Sequence, residues 1–260
     1  MKDIKIGLQI HSVREDFAED PVGTLKRVAE MGYDGVELNF WALKKEASFY
    51  KELLAENGLN CFGCLTAWKD VQPENLEHTI RYIKELGTNV VAIGSVDPGL
   101  LKSDPDYPWK ALECMQHAHK LLKEEGMVSG YHNHDSDSNT YVEGKTFLEW
   151  LFDKMPEDFI MLLDTGNAQA ANADSLELLR TYPGRTQIAH IKGYSEELDY
   201  TTPIWKSEID LKNFVKTAIQ EGGMHTMNVE FGKRGDYEPF ERAQKSLLWL
   251  REQVEALETL

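Results

Sequence analysis

AEMGYDGVEL, residues 29–38, reads as the end of one element and the start of another. Around it Leu25, Val28, Ala29 and Met31 recur on one side of a helix, with Lys26, Arg27 and Glu30 outside. Gly32 suits the left-handed backbone that closes a helix, and the apolar run Gly35–Asn39 follows at once as a strand. The same phrase of helix, acidic residue, glycine and apolar strand returns as AENGLNCFG (55–63), KELGTNVVAIG (84–94), KEEGMVSGYH (123–132) and QEGGMHTMNVEF (220–231).

Filling the gaps between these repeats predicts eight strands: Ile4–Ile10, Gly35–Asn39, Asn60–Leu65, Val90–Gly94, Val128–Asn133, Ile160–Asp164, Gln187–Ile191 and Met227–Phe231. Short apolar runs separated by longer helical patterns are the mark of buried parallel strands. Eight helices alternate with them, at 21–31, 43–57, 74–86, 108–125, 145–154, 174–181, 210–221 and 238–257. Asp20-Pro21 opens the first as an N-cap followed by an N1 proline. This alternation predicts an α/β fold, a (β/α)8 TIM barrel, as a single domain over residues 1–260. An open doubly wound sheet would carry a G-x-G-x-x-G after its first strand, and none stands there.

The formal net charge of −16 repels phosphate backbones and argues against nucleic acid as a partner. No apolar run approaches the ~18–20 residues of a membrane span, and MKDIKIGLQIH lacks the apolar stretch of a secretory leader, so a cytoplasmic protein is expected. The three cysteines make no disulfide framework. Cys61 and Cys64 form a C-x-x-C inside a strand-like run, and both are read as structural.

In a barrel the chemistry sits where strands run into the loops that follow them. Those ends carry Gln9 and His11, then Glu37, then His132 and His134 in GYHNHD, Asp164 in LLDTGN, His190 and Lys192 in AHIKGY, and Glu230 in NVEFG. A lone carboxylate there is usually a helix cap. Four mixed nitrogen and oxygen donors on adjacent strands point instead to one divalent ion held by His132, Asp164, His190 and Glu230, with a polar pocket that holds no metal as the alternative. Manganese or zinc suits the set best, with cobalt, iron or magnesium as alternatives.

GLQIHSVRED, GY-x-GVEL, GYHNHD, LDTGN, HIKGY and VEFG, in that order, resemble the sugar phosphate isomerase/epimerase group of xylose isomerase-like barrels, from about Ile4 to about Leu250. The resemblance implies one divalent metal at the ends of strands five to eight. It carries over Asp164, His190 and Glu230 as matching ligands, and His132 where the commoner sequence has Glu-Asn-His. In the family's epimerases the glutamates of strands five and eight are the two bases flanking the substrate carbon. Here only Glu230 remains, and His134 is either a substitute acid or base or a group that hydrogen-bonds or packs.

The expected activity is therefore a sugar or sugar phosphate isomerase/epimerase that removes a proton next to a carbonyl. A lyase or dehydratase acting on a keto sugar, keto-glycoside or inosose is the alternative, and a non-catalytic sugar-binding barrel the third. Lys192 is placed either to stabilise an oxyanion or to pair with Glu230 or Asp164. The DNA-repair branch of the same barrels needs further histidines, and Asn167 stands where that branch has one.

Aromatic residues crowd the predicted loops: Phe40, Trp41, Trp68, Tyr107, Trp109, Tyr194 and Trp205, with Trp68 the first choice for stacking on a sugar. Gln9, His11, Glu37 and Asn167 are the polar candidates for substrate contact, Glu37 with a buried ion pair as its equal alternative. Lys233 and Arg234 are the basic candidates for a phosphate. The partner is a small sugar or polyol, without nucleic acid or membrane, and the aromatic-rich loops suit a homodimer.

Overall fold

Each repeated glycine does what its position requires. Gly32, Gly58, Gly87, Gly126 and Gly223 all take positive φ, between 67° and 97°, and Gly87 donates its N–H back to Ile83 and Lys84 as its helix ends. The computed structural model describes residues 4–232 and 235–258. Within them eight strands, β1 (Lys5–Gln9), β2 (Gly35–Asn39), β3 (Asn60–Thr66), β4 (Val90–Ile93), β5 (Val128–His132), β6 (Ile160–Asp164), β7 (Ile188–Ile191) and β8 (Thr226–Val229), close into a barrel in sequence order. Every neighbouring pair is parallel, and β8 closes on β1 with Lys5 opposite Thr226 and Leu8 opposite Val229. The barrel expected from the sequence is the fold observed.

Eight helices form the outer ring: α1 (Pro21–Met31), α2 (Ala47–Glu56), α3 (Pro73–Leu86), α4 (Tyr107–Glu124), α5 (Phe147–Lys154), α6 (Ser175–Thr181), α7 (Leu211–Gln220) and α8 (Pro239–Glu258). Asp20 caps α1 by accepting the Gly23 N–H at 2.9 Å, with Pro21 at its start. The second helix starts four residues later than its expected 43, because Phe40–Ala42 forms a 3-10 turn and the Lys44 N–H donates to the Tyr50 hydroxyl. The fifth starts at Phe147 because Lys145–Thr146 pairs with Tyr141–Val142 as a small hairpin. Thr146 then caps the helix reciprocally with Glu149.

Strand alternation divides the interior in two. Outward residues such as Leu8, Val36, Val91, Met161 and Ile191 pack under the helices. Inward ones fill the lower barrel with Leu65, Ala92, Ile160, Leu162 and Ile188. Above that plug the inward positions turn polar, and the site begins there. On the outer side of β5, Ser129 Oγ, His119 Nδ1 and Asp158 fall in line, with 2.8 Å between the first pair and 3.2 Å from His119 Nε2 to Asp158. Ser129 is only 2% exposed, so this trio ties α4 to β5 and is closed to any substrate. Cys61 and Cys64 are free thiols, the first pushed up to about 12 by burial and the second also raised by burial, as befits structural residues.

Candidate metal centre and substrate cavity

Short helical turns follow the strands at Arg14–Glu19, Pro98–Ser103, Asp135–Ser138 and Thr165–Ala170. The second is capped by the Asp97 side chain and the last by Asp164. Asp164 shows how one carboxylate serves two ends: its Oδ1 accepts the Asn167 N–H at 2.7 Å, while Oδ2 is left facing the barrel axis. The strand-end carboxylate is thus both a helix cap and a member of a cluster.

His132, Asp164, His190 and Glu230 each offer one donor atom, and the four donors lie within 4.8 Å of one another. His132 Nε2 is 3.5 Å and His190 Nδ1 3.8 Å from Asp164 Oδ2. His190 Nδ1 stands 2.5 Å from Glu230 Oε2. Below, His190 Nε2 is 2.6 Å from Glu37 Oε2, which also accepts from Asn228 Nδ2 at 2.7 Å. Gly7 makes room for this floor, since a side chain there would overlap Asn228 Oδ1. Lys192 Nζ closes the cluster from one side, 3.3 Å from Asp164 Oδ2, 3.0 Å from Glu230 Oε1 and 3.1 Å from Asn167 Oδ1. The Tyr200 ring covers it at 4.9 Å.

These contacts set the charges. Burial opposes ionisation of Asp164 and Glu230, but Lys192 with His132 at the first, and Lys192 with His190 at the second, outweigh it and hold both carboxyls below their usual range. Burial works against a charged His190, yet Glu37 and Glu230 win and push it up to about 10. Lys192 is also held protonated: burial opposes it and Asp164 and Glu230 prevail. His134 goes the other way, to about 3, because burial, His132 and Lys192 all disfavour its cation.

His132 decides whether this is merely an ion-pair network. Its ring is 2% exposed, Nδ1 has no partner, and Nε2 makes no hydrogen bond, its nearest group being Asp164 Oδ2 at 3.5 Å. A buried imidazole with both nitrogens idle is costly unless something absent from the protein chain takes a lone pair. The donor set suits a divalent cation: an imidazole lone pair, two ionised carboxylates and a His190 oriented from behind by Glu37.

Beside the cluster opens a cavity of about 290 Å³ lined by Gln9, His11, Asn39, Trp41, Leu65, Thr66, Ala67, Trp68, Gly94, Ser95, His132, His134 and Glu230. Gln9, His11, Trp68, His134 and Glu230 therefore stand on the wall where the sequence placed them. His132 and His134 share a face as the i, i+2 spacing implies, with ring centroids 4.7 Å apart.

Three candidates sit elsewhere. Glu37 is a buried ion-pair partner of His190 and not a lining residue, because its strand position lies one layer below the cavity floor. Asn167 faces Lys192 and donates to the Asn133 carbonyl, away from the cavity. Lys192 itself is paired with both Asp164 and Glu230 and does not line the cavity. Of the aromatic residues only Trp41 and Trp68 reach it; Phe40 packs on His78 and Tyr82, Tyr107 bonds the Asp97 amide, Trp109 packs on Trp150, Tyr194 on Tyr200 and Trp205 on Tyr237. Lys233 and Arg234 lie outside the described residues.

Asn39, Thr66 and Asn228 were not singled out from the sequence. Asn39 follows Glu37 by two residues and Asn228 precedes Glu230 by two, so period-two reading from the charged residues would have found both.

The chain matches the model of a family described as xylose isomerase-like TIM barrel over residues 25–253. An inosose dehydratase of Bacillus cereus is 24% identical over 193 residues, 67% of this chain; the chain spans 63% of the length of that relative. A sugar phosphate isomerase/epimerase of Parabacteroides distasonis superposes with a TM-score of 0.77 at 20% identity, covering 96% of this chain and 94% of that one. A D-allulose 3-epimerase of Methylomonas sp. gives 0.72 at 14% identity, covering 97% and 99%. At such identities the structural likeness is one of fold. No helix among the described residues is long and apolar enough to cross a membrane.

Proposed function

This chain belongs to the xylose isomerase-like TIM barrel family, and from that premise we propose a metal-dependent enzyme that removes a proton next to the carbonyl of a small sugar or polyol. The observation that carries the reading is the idle imidazole of His132 among three further donors, at the edge of a cavity walled by two indoles. His132, Asp164, His190 and Glu230 would hold one divalent ion, manganese or zinc by donor type. Bound there, the ion supplies Lewis acidity to a carbonyl and makes the adjacent C–H more acidic.

The chain's own groups supply the rest. Among the described residues lining the cavity Glu230 is the only carboxylate, and Lys192 beside it keeps it ionised and able to accept a proton. Lys192, fixed as a cation beside Glu230 and Asp164, lends positive potential where negative charge develops on substrate oxygen. His134 faces the cavity as a neutral imidazole, suited to hydrogen-bonding a hydroxyl. Trp41 and Trp68 offer apolar faces to sugar C–H groups.

One carboxylate base favours chemistry that takes and returns a proton on a single face, which is isomerisation between aldose and ketose. The inosose dehydratase relatives support a second reading, in which the proton loss is followed by departure of a β-hydroxyl from a keto-inositol. A two-base epimerisation would require His134 to act as the second base.

The test is metal content of gently purified protein beside Glu230→Gln and His132→Ala, followed by solvent deuterium exchange into keto sugars and keto-inositols. About one ion per chain, lost in both variants, with exchange that needs Glu230, is expected. A chain that takes up neither manganese nor zinc would remove the mechanism and leave a sugar-binding barrel. Release of water separates the dehydratase from the isomerase.

A further inference from the structure

The half of the barrel mouth away from the donor cluster carries two amides, each with one buried atom that bonds nothing. Gln9, at the end of β1, is fully buried and Asn39, at the end of β2, is 1% exposed; both line the cavity. Gln9 Oε1 already accepts the His11 N–H at 2.8 Å, so Nε2 is its free donor, and that atom has no partner. Asn39 Oδ1 is likewise buried and without a partner. In register Gln9 pairs with Glu37, and Asn39 stands two residues above Glu37 on the same face, so the two amides are neighbours across adjacent strands.

A donor beside an acceptor is complementary to a hydroxyl, which both accepts and donates. A phosphate or carboxylate offers acceptors only and would leave Asn39 Oδ1 facing another oxygen. The remaining wall agrees. Among the described residues lining the cavity there is neither lysine nor arginine, and Glu230 brings negative charge.

We propose that Gln9 and Asn39 form a hydroxyl-recognition subsite that selects an uncharged polyhydroxylated ketone over its phosphate ester. The subsite rests on the proposed function, since it positions the far hydroxyls of the same substrate. Gln9 Nε2 donates to one hydroxyl and Asn39 Oδ1 accepts from it or from its neighbour, while the indoles of Trp41 and Trp68 cover the ring's C–H face.

The experiment uses the metal-loaded enzyme and tryptophan fluorescence, with scyllo-inosose, D-fructose and D-fructose 6-phosphate as probes. At least one of the two neutral ketones is expected to bind at least tenfold more tightly than the phosphate. Asn39→Leu and Gln9→Met should each weaken that ketone about tenfold, the effect of one lost hydrogen bond. The thermal midpoint of Asn39→Leu should match or exceed the wild type, because it removes an idle buried acceptor, whereas Gln9→Met also loses the acceptor of the His11 N–H and should melt somewhat lower. Binding of the phosphate equal to or tighter than both ketones, binding of none of the three, or unchanged ketone affinity in both variants would overturn the proposal. If ketone exchange with solvent deuterium persists while the variants bind normally, the subsite is wrong and the chemistry stands. If the variants lose ketone binding in an enzyme that never exchanges deuterium, the subsite stands and the chemistry is wrong.

Discussion

Glu37 Oε2 lies 2.6 Å from His190 Nε2, so the ring's other nitrogen, Nδ1, faces Glu230 and the centre of the donor cluster. A carboxylate behind a ligating histidine fixes its orientation and strengthens it as a ligand. Glu37→Gln is expected to keep the fold and to weaken manganese or zinc binding by about tenfold or more. Competition titration with a chromophoric chelator measures this, and an affinity equal to wild type would deny Glu37 that role.

His132 should be a stability liability in the metal-free protein. Both of its nitrogens are buried without a hydrogen bond, Nε2 reaching only to 3.5 Å from Asp164 Oδ2, so His132→Leu is expected to raise metal-free unfolding free energy by about 1 kcal/mol. The same substitution should abolish the thermal shift that manganese or zinc gives the wild type. Paired melts with chelator and with metal separate the two effects. A variant less stable than wild type in chelator contradicts the reading.

Asp137 makes stability depend on pH. Its carboxyl is fully buried behind His134, accepting that residue's N–H at 2.7 Å and the Tyr131 hydroxyl at 3.1 Å, and burial pushes it up to about 7. The unfolded value is near 3.9, so the folded state holds this proton more tightly. The stabilisation is complete below the unfolded value and disappears as pH rises through 7. Between pH 5 and pH 8 the wild type should lose about 3 kcal/mol that Asp137→Asn does not. Denaturant titrations of both proteins across that range decide it; parallel curves would assign the proton elsewhere.

Arg185 anchors the connection between α5 and β6 to the chain entering β7. Its guanidinium donates to the carbonyls of Phe152, Pro156 and Phe159 at 2.7–3.0 Å. Arg185→Met should cost about 3 kcal/mol by leaving those carbonyls unpaired, and Arg185→Lys should recover part of it. Chemical denaturation provides the comparison, and a neutral Met variant would show that water replaces the guanidinium.

Local signals made the barrel readable. A glycine at five of the helix ends, followed at once by an apolar run, places helix, turn and strand within about ten residues, and the eightfold count leaves one closed architecture. The donors His132, Asp164, His190 and Glu230 were readable for the same reason: each is a polar residue at the end of an apolar strand. What could not be read was depth along the axis. Glu37, Asn39 and Gln9 all point inward, but only the strand register shows that Glu37 lies under His190 while Asn39 and Gln9 meet the cavity. Asn167 faces Lys192 and not the cavity, and Lys192 takes the ion-paired one of its two readings; the partners of both come from other strands, far away in sequence. The hairpin at Tyr141–Val142 and Lys145–Thr146 escaped because two-residue strands carry no period to detect.

The empty position at Gly7 has a consequence for descent. The amide of Asn228 fills the space where a side chain at residue 7 would be, and that amide holds Glu37, which holds His190. Residues 7 and 228 are therefore bound to change together, although they are separated by most of the chain. Alanine at 7 would press on both Asn228 and the Phe62 ring, and displacing Asn228 would loosen the hold on Glu37 and the histidine above it. Selection on metal capture would in this way preserve a glycine that never approaches the ion.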